Sequence, residues 1–247
     1  TFLAKVQATD PKQPFDITFF VKNANLTSTD GWTANNSTAL PTINYSCGEF
    51  YERNLDMTQR LDYMPKGMYE MRVQGFQRPG AIGAVSSNYA SGQNDVNAFI
   101  YFTNVRNKQL IYNIMQGAQD QKIGKGKESV VGVQYVPNDM ESASAYFEKG
   151  LYENVYQFSQ SAKKALTLGF KGTNSASSNW TIFSNIRLYY YGLQIPTTGI
   201  VDIKTEDSVH HQGVYTLSGQ LVRKNSDSLI GLPSGIYIVD GKKVVVK

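Results

Sequence analysis

Alternation of apolar and polar residues with a period of two recurs along most of the chain, and helical periodicity lasting more than three turns appears nowhere. Successive side chains on a strand point to opposite faces, so this pattern suits strands with one buried face. The stretches that carry it are DITFFVKN (16–23), GMYEMRVQGF (67–76), NAFIYFTNV (97–105), KQLIYNIM (108–115), SVVGVQYV (129–136), NVYQFSQ (154–160), ALTLGFKG (165–172) and NWTIFSNIRLYYYG (179–192). Several are rich in β-branched and aromatic residues, and Gly, Asn and Ser separate many of them. The chain reads as all-β. In the last stretch the even positions Trp180, Ile182, Ser184, Ile186, Leu188 and Tyr190 form the core face, provided no bulge shifts the register near Ser184. Tyr189 and Tyr191 then point outward beside Arg187, as a docking surface for whatever follows.

One segment breaks the pattern. In VPNDMESASAYFEKGLYEN, Asn138 and Glu141 have capping-box spacing, Met140, Ala143 and Phe147 share a helical face, and Gly150 suits a C-terminal stop. This predicts a short helix covering one open end of a sandwich. Two stretches read as loops, WTANNSTALPTINYS (32–46) and RPGAIGAVSSNYASGQND (78–95), because both lack sustained alternation and are loaded with Gly, Ser, Asn and Pro. The second exceeds the roughly 12 to 15 residues beyond which a loop without structure tends to be functional or disordered.

The segments order the chain into a tail (1–13), a sandwich (14–192), a linker (193–199) and a small C-terminal β-unit (200–247). Within the last, SG in GVYTLSGQLVRK and Asp240-Gly241 in GIYIVDGKKVVVK are turn signals. So short a unit is near the lower limit for folding without disulfides or metal, and it is expected to dock on a neighbour or partner.

Few chemistries fit the residues present. The net charge is +4 with the basic residues scattered, which argues against nucleic acid. The lone Cys47 excludes an internal disulfide and a cysteine zinc cluster. Imidazole comes only from His210 and His211, and neither a G-x-S-x-G elbow, a Walker A loop nor a dinucleotide fingerprint occurs. No run approaches the roughly 18 to 20 apolar residues of a membrane-spanning helix. The start at Thr1, with no initiator methionine or signal-like segment, reads as a mature or trimmed product. Carboxylate chemistry would draw on Asp30, Glu49, Glu52, Asp56, Asp62, Asp95 and Asp139, none of which sits in a motif. No cofactor is expected; a structural calcium ion would find Asp95 and Asp30 as its candidate ligands, though both suit ordinary turns. Sequons at Asn25, Asn36, Asn44 and Asn179 fit the Asn, Ser and Thr-rich composition.

Four stretches in order, DITFFVKNANLTSTDGWT (16–33), MPKGMYEMRVQGFQRPGA (64–81), VPNDMESASAYFEKGLYEN (136–154) and NWTIFSNIRLYYYG (179–192), resemble secreted Bacteroidetes modules with the galactose-binding-like jelly-roll fold. The resemblance implies a jelly-roll β-sandwich with one short helix and ligands held by variable loops at one end. Where the family carries an N-P-x-F-like step this chain has NANL, and Ser184 stands where the family carries an aspartate, which weakens any transferred calcium site. LSGQLV and LIGLPSGIYIVDGKKVVVK resemble C-terminal sorting domains of exported proteins of that phylum, implying export and attachment to the cell surface or release.

Together these readings give a non-catalytic carbohydrate-binding or adhesion module, secreted or at the cell surface. A glycan would stack on Tyr89 and hydrogen-bond to Arg78, Asn88, Gln93, Asn94 and Asp95 of the second loop. The alternatives are a structural or protein-interaction module, with other surface proteins as partners, and a glycoside hydrolase-associated protein using paired carboxylates.

Overall fold

The computed structural model describes residues 14–103, 105–193, 214–216, 221–223, 229, 231–239 and 242–246. The chain divides into two compact units, Thr1–Thr198 and Gly199–Lys247. The first is a β-sandwich. One sheet has the order β12 (Glu153–Gln160), β6 (Gly67–Pro79), β14 (Asn179–Gly192), β4 (Cys47–Tyr51), β3 (Thr42–Asn44), with β1 (Phe15–Asp16) paired to β14 and β9 (Tyr112–Asn113) running parallel to β6. The facing sheet has the order β2 (Thr33–Ala34), β5 (Leu55–Met64), β13 (Lys164–Gly172), β7 (Phe99–Phe102), β8 (Gln109–Leu110). Every other pairing within these sheets is antiparallel.

The core between the sheets follows the alternation. Tyr69, Met71 and Val73 of β6 meet Met57 and Leu61 of β5 and Leu168 and Phe170 of β13 in one buried cluster. Phe170 stacks on Phe183 at 4.2 Å between centroids, and Phe102 on Phe158 at 4.1 Å, so aromatic pairs bridge the two layers. Phe183 comes this close because its strand partner is Gly75, where any Cβ would lie 2.8 Å from the Phe183 Cβ.

A second apolar layer lies on the outer face of the seven-stranded sheet. The even residues of β6 point there, and Phe76 joins Trp180, Ile182, Tyr146, Phe147 and Tyr152 in a separate buried cluster. Helix α2 (Met140–Glu148) covers it with Ala143, Tyr146 and Phe147. The helix expected at 138–150 is therefore present, but it lies on a sheet face and does not close an end of the sandwich. Its cap is Asp139 with Ser142, one residue later than the Asn138–Glu141 pairing, because Asp139 adopts the extended cap conformation and its carboxylate accepts the Ser142 N–H at 2.8 Å. Gly150, at φ +72°, ends the helix. The hairpin β10 (Glu128–Val131) and β11 (Gln134–Pro137) leads into it.

The bulge allowed for near Ser184 is present. Ser184 pairs with Gln74 and Arg187 with Arg72, so β14 carries one extra residue, and Asn185 takes φ +50°. The bulge switches faces. Before it, Phe183 faces the sandwich while Trp180 and Ile182 lie under α2; after it, Ile186, Leu188 and Tyr190 take over the sandwich face. All of the even set is buried, its apolar members in two different cores. Tyr191 is also buried, its hydroxyl donating to Glu70 at 3.2 Å within the same sheet, so it is not the open outward surface expected. Tyr189 is half-buried, with the Arg72 guanidinium 5.4 Å from its ring centroid.

Two further expectations change. Residues 78–95 are not one loop: α1 (Ile82–Ala90) occupies the middle, with Val85 as its buried residue, and Gly92 at φ +83° follows it. DITFFVKN contributes only β1 and a 3₁₀ turn at Thr18–Phe20, whose first N–H is accepted by the Asp16 carboxylate. The second unit contributes a four-stranded antiparallel sheet in the order β16 (Leu221–Arg223), β15 (Val214–Thr216), β17 (Gly235–Val239), β18 (Lys242–Val246). His210, His211, the tail 1–13, linker residues 194–199 and the Asp240-Gly241 turn lie outside the described residues.

Candidate functional site

Where β4 and β6 end and β14 begins, a cleft of about 370 Å³ opens, lined by Glu49, Tyr51, Arg78, Trp180 and the N-terminal turn of α2. Glu49 and Tyr51 are two apart on β4, and Tyr51 and Arg78 flank Trp180 as its two strand partners, so the pleat puts all four on the outer face. Trp180 is buried and forms the floor. Its indole N–H donates to Glu49 Oε1 at 2.8 Å, and the Arg78 guanidinium lies 5.2 Å from its ring centroid. Tyr51 is 46% exposed and supplies an open ring at the rim.

Arg78 is 8% exposed and forms no ion pair among the described residues. Its Nε donates to the Ser178 carbonyl at 3.2 Å and Nη1 to Asn138 Oδ1 at 2.8 Å. Of its five N–H groups, the pair on Nη2 therefore has no acceptor among the described residues. Burial pulls its pKa down, with Tyr51, Glu49 and Glu52 opposing. Glu49 is the complementary group: burial pushes its carboxyl above the ordinary range, and the Trp180 N–H and the nearby Arg53 and Arg78 only partly offset this. One of its oxygens meets Trp180, and the other has no donor among the described residues. Desolvated groups of opposite charge with spare hydrogen-bonding capacity make this cleft the candidate functional site.

The other carboxylates nearby are occupied. Asp139 accepts the Ser142 N–H with one oxygen and the Lys127 N–H with the other, and these bonds overcome desolvation to hold it below the usual carboxylate range. Glu52 lies outside the lining, accepting the Ser178 N–H at 2.7 Å; that bond and the Tyr51 hydroxyl lower its pKa.

Of the six residues singled out in the sequence, the cleft takes in Arg78 alone. Asn88 and Tyr89 are on α1, where Asn88 donates to Asp95 at 2.8 Å and Tyr89 is 37% exposed. Asn94 accepts from Asn113, and Gln93 is exposed. Asp30 is engaged as a turn residue, its carboxylate accepting from the Ser28 hydroxyl and its own backbone N–H donating to that hydroxyl, and no three His, Cys, Asp or Glu among the described residues gather to hold a metal ion. The sequence offers Glu49 only as one carboxylate among several, Trp180 only as a core residue and Tyr51 not at all, because the cleft assembles them from strands far apart in the chain. The one local signal was GEFYE, where Glu49 and Tyr51 alternate onto one face.

Ionisation of Glu49 has a testable cost. Its folded pKa is raised, so the stability it contributes is fully present below the unfolded pKa and is lost as pH rises through the folded value. Glu49→Gln, which can still accept from Trp180, is expected to melt at or above the wild-type temperature at pH 7, an advantage that disappears at pH 4. A variant that melts lower at pH 7 would contradict the assignment.

No family model matches the chain, and no curated protein does. Solved structures align with the chain only at low identity and at TM-scores of 0.29 to 0.32. A secreted serine protease, VesC, from Vibrio cholerae is 11% identical at a TM-score of 0.31, over 74% of this chain and 28% of the protease, so the chain spans only a minor part of that protein. The module TmCBM61, solved with β-1,4-galactotriose, is 10% identical at 0.32, over 69% of this chain and 97% of the module. A protein from Bacteroides thetaiotaomicron assigned to sugar binding is 14% identical at 0.29, over 69% and 92%. The class of the chain, an all-β sandwich with an aromatic and charged cleft on the outer face of its seven-stranded sheet, rests on its own two sheets and on the residues of that cleft.

Proposed function

We propose that the first unit is a non-catalytic carbohydrate-binding module that holds a glycan in the Arg78–Trp180 cleft. The observation that carries this is Arg78: a buried cation without an ion pair among the described residues, kept beside a half-buried carboxylate with a spare oxygen and an open tyrosine ring. A sugar uses that set together. Each hydroxyl accepts from Arg78 or the Asn138 amide while donating to Glu49, and the apolar face of the ring lies on Tyr51. A catalytic reading has less support, because glycoside hydrolysis needs two carboxyl groups facing one bond, and the second carboxylate of this lining caps a helix.

An exported protein would meet such ligands outside the cell, in keeping with the low charge and Asn, Ser and Thr-rich composition. Residues 200–247 fit this reading as a sorting-type unit. The test is retention by affinity electrophoresis in gels containing neutral and acidic polysaccharides. The wild type is expected to be retarded by at least one, and Tyr51→Ala to lose about tenfold in affinity, roughly the 1.4 kcal/mol of one ring contact. Absence of retardation across the panel, or equal retardation of the variant, would overturn the proposal.

A further inference from the structure

A second and larger cavity, of about 540 Å³, lies near the other end of α2. Its rim is Tyr45 at the β3–β4 turn, Asn25 in the loop after the first 3₁₀ turn, and Asn185 at the β14 bulge; Ser144, Phe147 and Glu148 of α2 line its side. Tyr45 and Ser46 are the two central residues of a two-residue hairpin, since Asn44 pairs directly with Cys47. Their φ values, +49° and +55°, are those of a type I′ turn, whose ordinary occupants are Asn and Gly. A tyrosine and a serine there strain the backbone, and the turn gains nothing from the ring: Tyr45 remains 47% exposed.

The strained segments are tied together. The Ser184 hydroxyl donates to the Ser46 carbonyl, Ile186 N–H to the Ala24 carbonyl at 2.9 Å, and Arg187 Nη1 to Asn25 Oδ1 at 2.7 Å. Turn, bulge and loop therefore form a preorganised frame. The polar groups facing the cavity are left over: the Tyr45 hydroxyl, the Asn185 carboxamide and the Asn25 amide nitrogen have no side-chain partner among the described residues. The lining holds no Lys, Arg or His, and its one charged group, Glu148, is paired through Oε2 with Lys125 at 3.4 Å, which leaves Oε1 as its open acceptor among the described residues.

We infer that this cavity is a second, separate binding site for a neutral sugar. The ring of Tyr45 stacks on the sugar, the amides of Asn25 and Asn185 meet hydroxyls as donors and acceptors, and Glu148 accepts from a hydroxyl. No cation is itself in the lining, and Lys125 and Arg187, which bond the lining residues Glu148 and Asn25, are engaged by those bonds, which sets the cavity apart from the Arg78 cleft and disfavours uronates, sulfates and phosphates. Met140, at the Arg78 cleft, and Glu148 lie eight positions apart on α2, about 12 Å along its axis, so one module offers two sites to one polysaccharide.

The experiment is a two-dimensional NMR titration of the full chain with galacto-, gluco-, manno- and xylo-oligosaccharides, in the wild type, Tyr45→Asn and Arg78→Met. The Tyr45, Ser144 and Asn185 amides are expected to shift saturably with at least one series, with a dissociation constant unchanged by Arg78→Met. Tyr45→Asn should weaken that binding at least tenfold. Because asparagine relieves the strain of the turn, the same variant should melt at a higher temperature, so lost binding cannot be assigned to unfolding. No saturable shift at these amides with any of the four series overturns the second site, as does a Tyr45→Asn variant that binds like the wild type. The readout is separate from that of the Arg78 cleft, so either site can fail while the other stands.

Discussion

Arg78→Met is expected to reduce glycan affinity by a factor of 10 to 100, about 1.4 to 2.7 kcal/mol, with the fold retained. The methionine keeps an apolar stem over Trp180 but removes every donor that Arg78 turns toward the cleft. Arg78→Lys should not restore binding, because an ammonium cannot hold the Ser178 carbonyl and Asn138 while presenting a planar pair of N–H groups to a ligand. Titration calorimetry with the polysaccharide that retards the wild type checks both variants. An Arg78→Lys variant with full affinity would mean that charge alone matters.

The largest effect on stability is expected from Asn154→Leu, a loss of about 3 to 5 kcal/mol in urea unfolding. Asn154 is fully buried, and its amide nitrogen donates to the carbonyls of Val73 at 3.2 Å, Gly75 at 2.7 Å and Tyr152 at 2.9 Å. Its oxygen accepts the Tyr112 N–H at 2.9 Å. One side chain thus fastens β9 and β12 to β6 beside the floor of the second apolar layer. Leucine has a similar volume but strands the Tyr112 N–H and weakens the carbonyl network in the interior, where each unmet group costs about 1 to 3 kcal/mol. A loss below 1 kcal/mol would show that water or a shifted backbone satisfies these groups.

The all-β class was legible because alternation survives wherever one sheet face meets a core. It failed at specific residues for physical reasons. Strand β5, LDMTQRLDYM, went unrecognised because Gln59 occupies an inward position and is buried there by bonds to the Lys22 backbone. Helix α1 was hidden by its Gly, Ser and Asn content, although Ile82, Val85 and Tyr89 repeat at helical spacing. The β14 bulge divided one apparent apolar face between two cores, and only Asn185, a residue tolerant of positive φ, hinted at it in the sequence. Of the candidate cleft, only Arg78 was legible as a binding residue, with Glu49 one carboxylate among several. The cleft's other parts come from β4, β14 and the cap of α2, and sequence spacing says nothing about strands that become neighbours through pairing.

The central claim, that a glycan is held in the Arg78–Trp180 cleft, is tested most directly by following the Trp180 indole N–H and Arg78 Nε–H resonances during titration with a retained polysaccharide fragment. Both should shift saturably and together, with the dissociation constant found by calorimetry. Binding that shifts only the α1 residues around Tyr89, and leaves Trp180 and Arg78 unmoved, would contradict it.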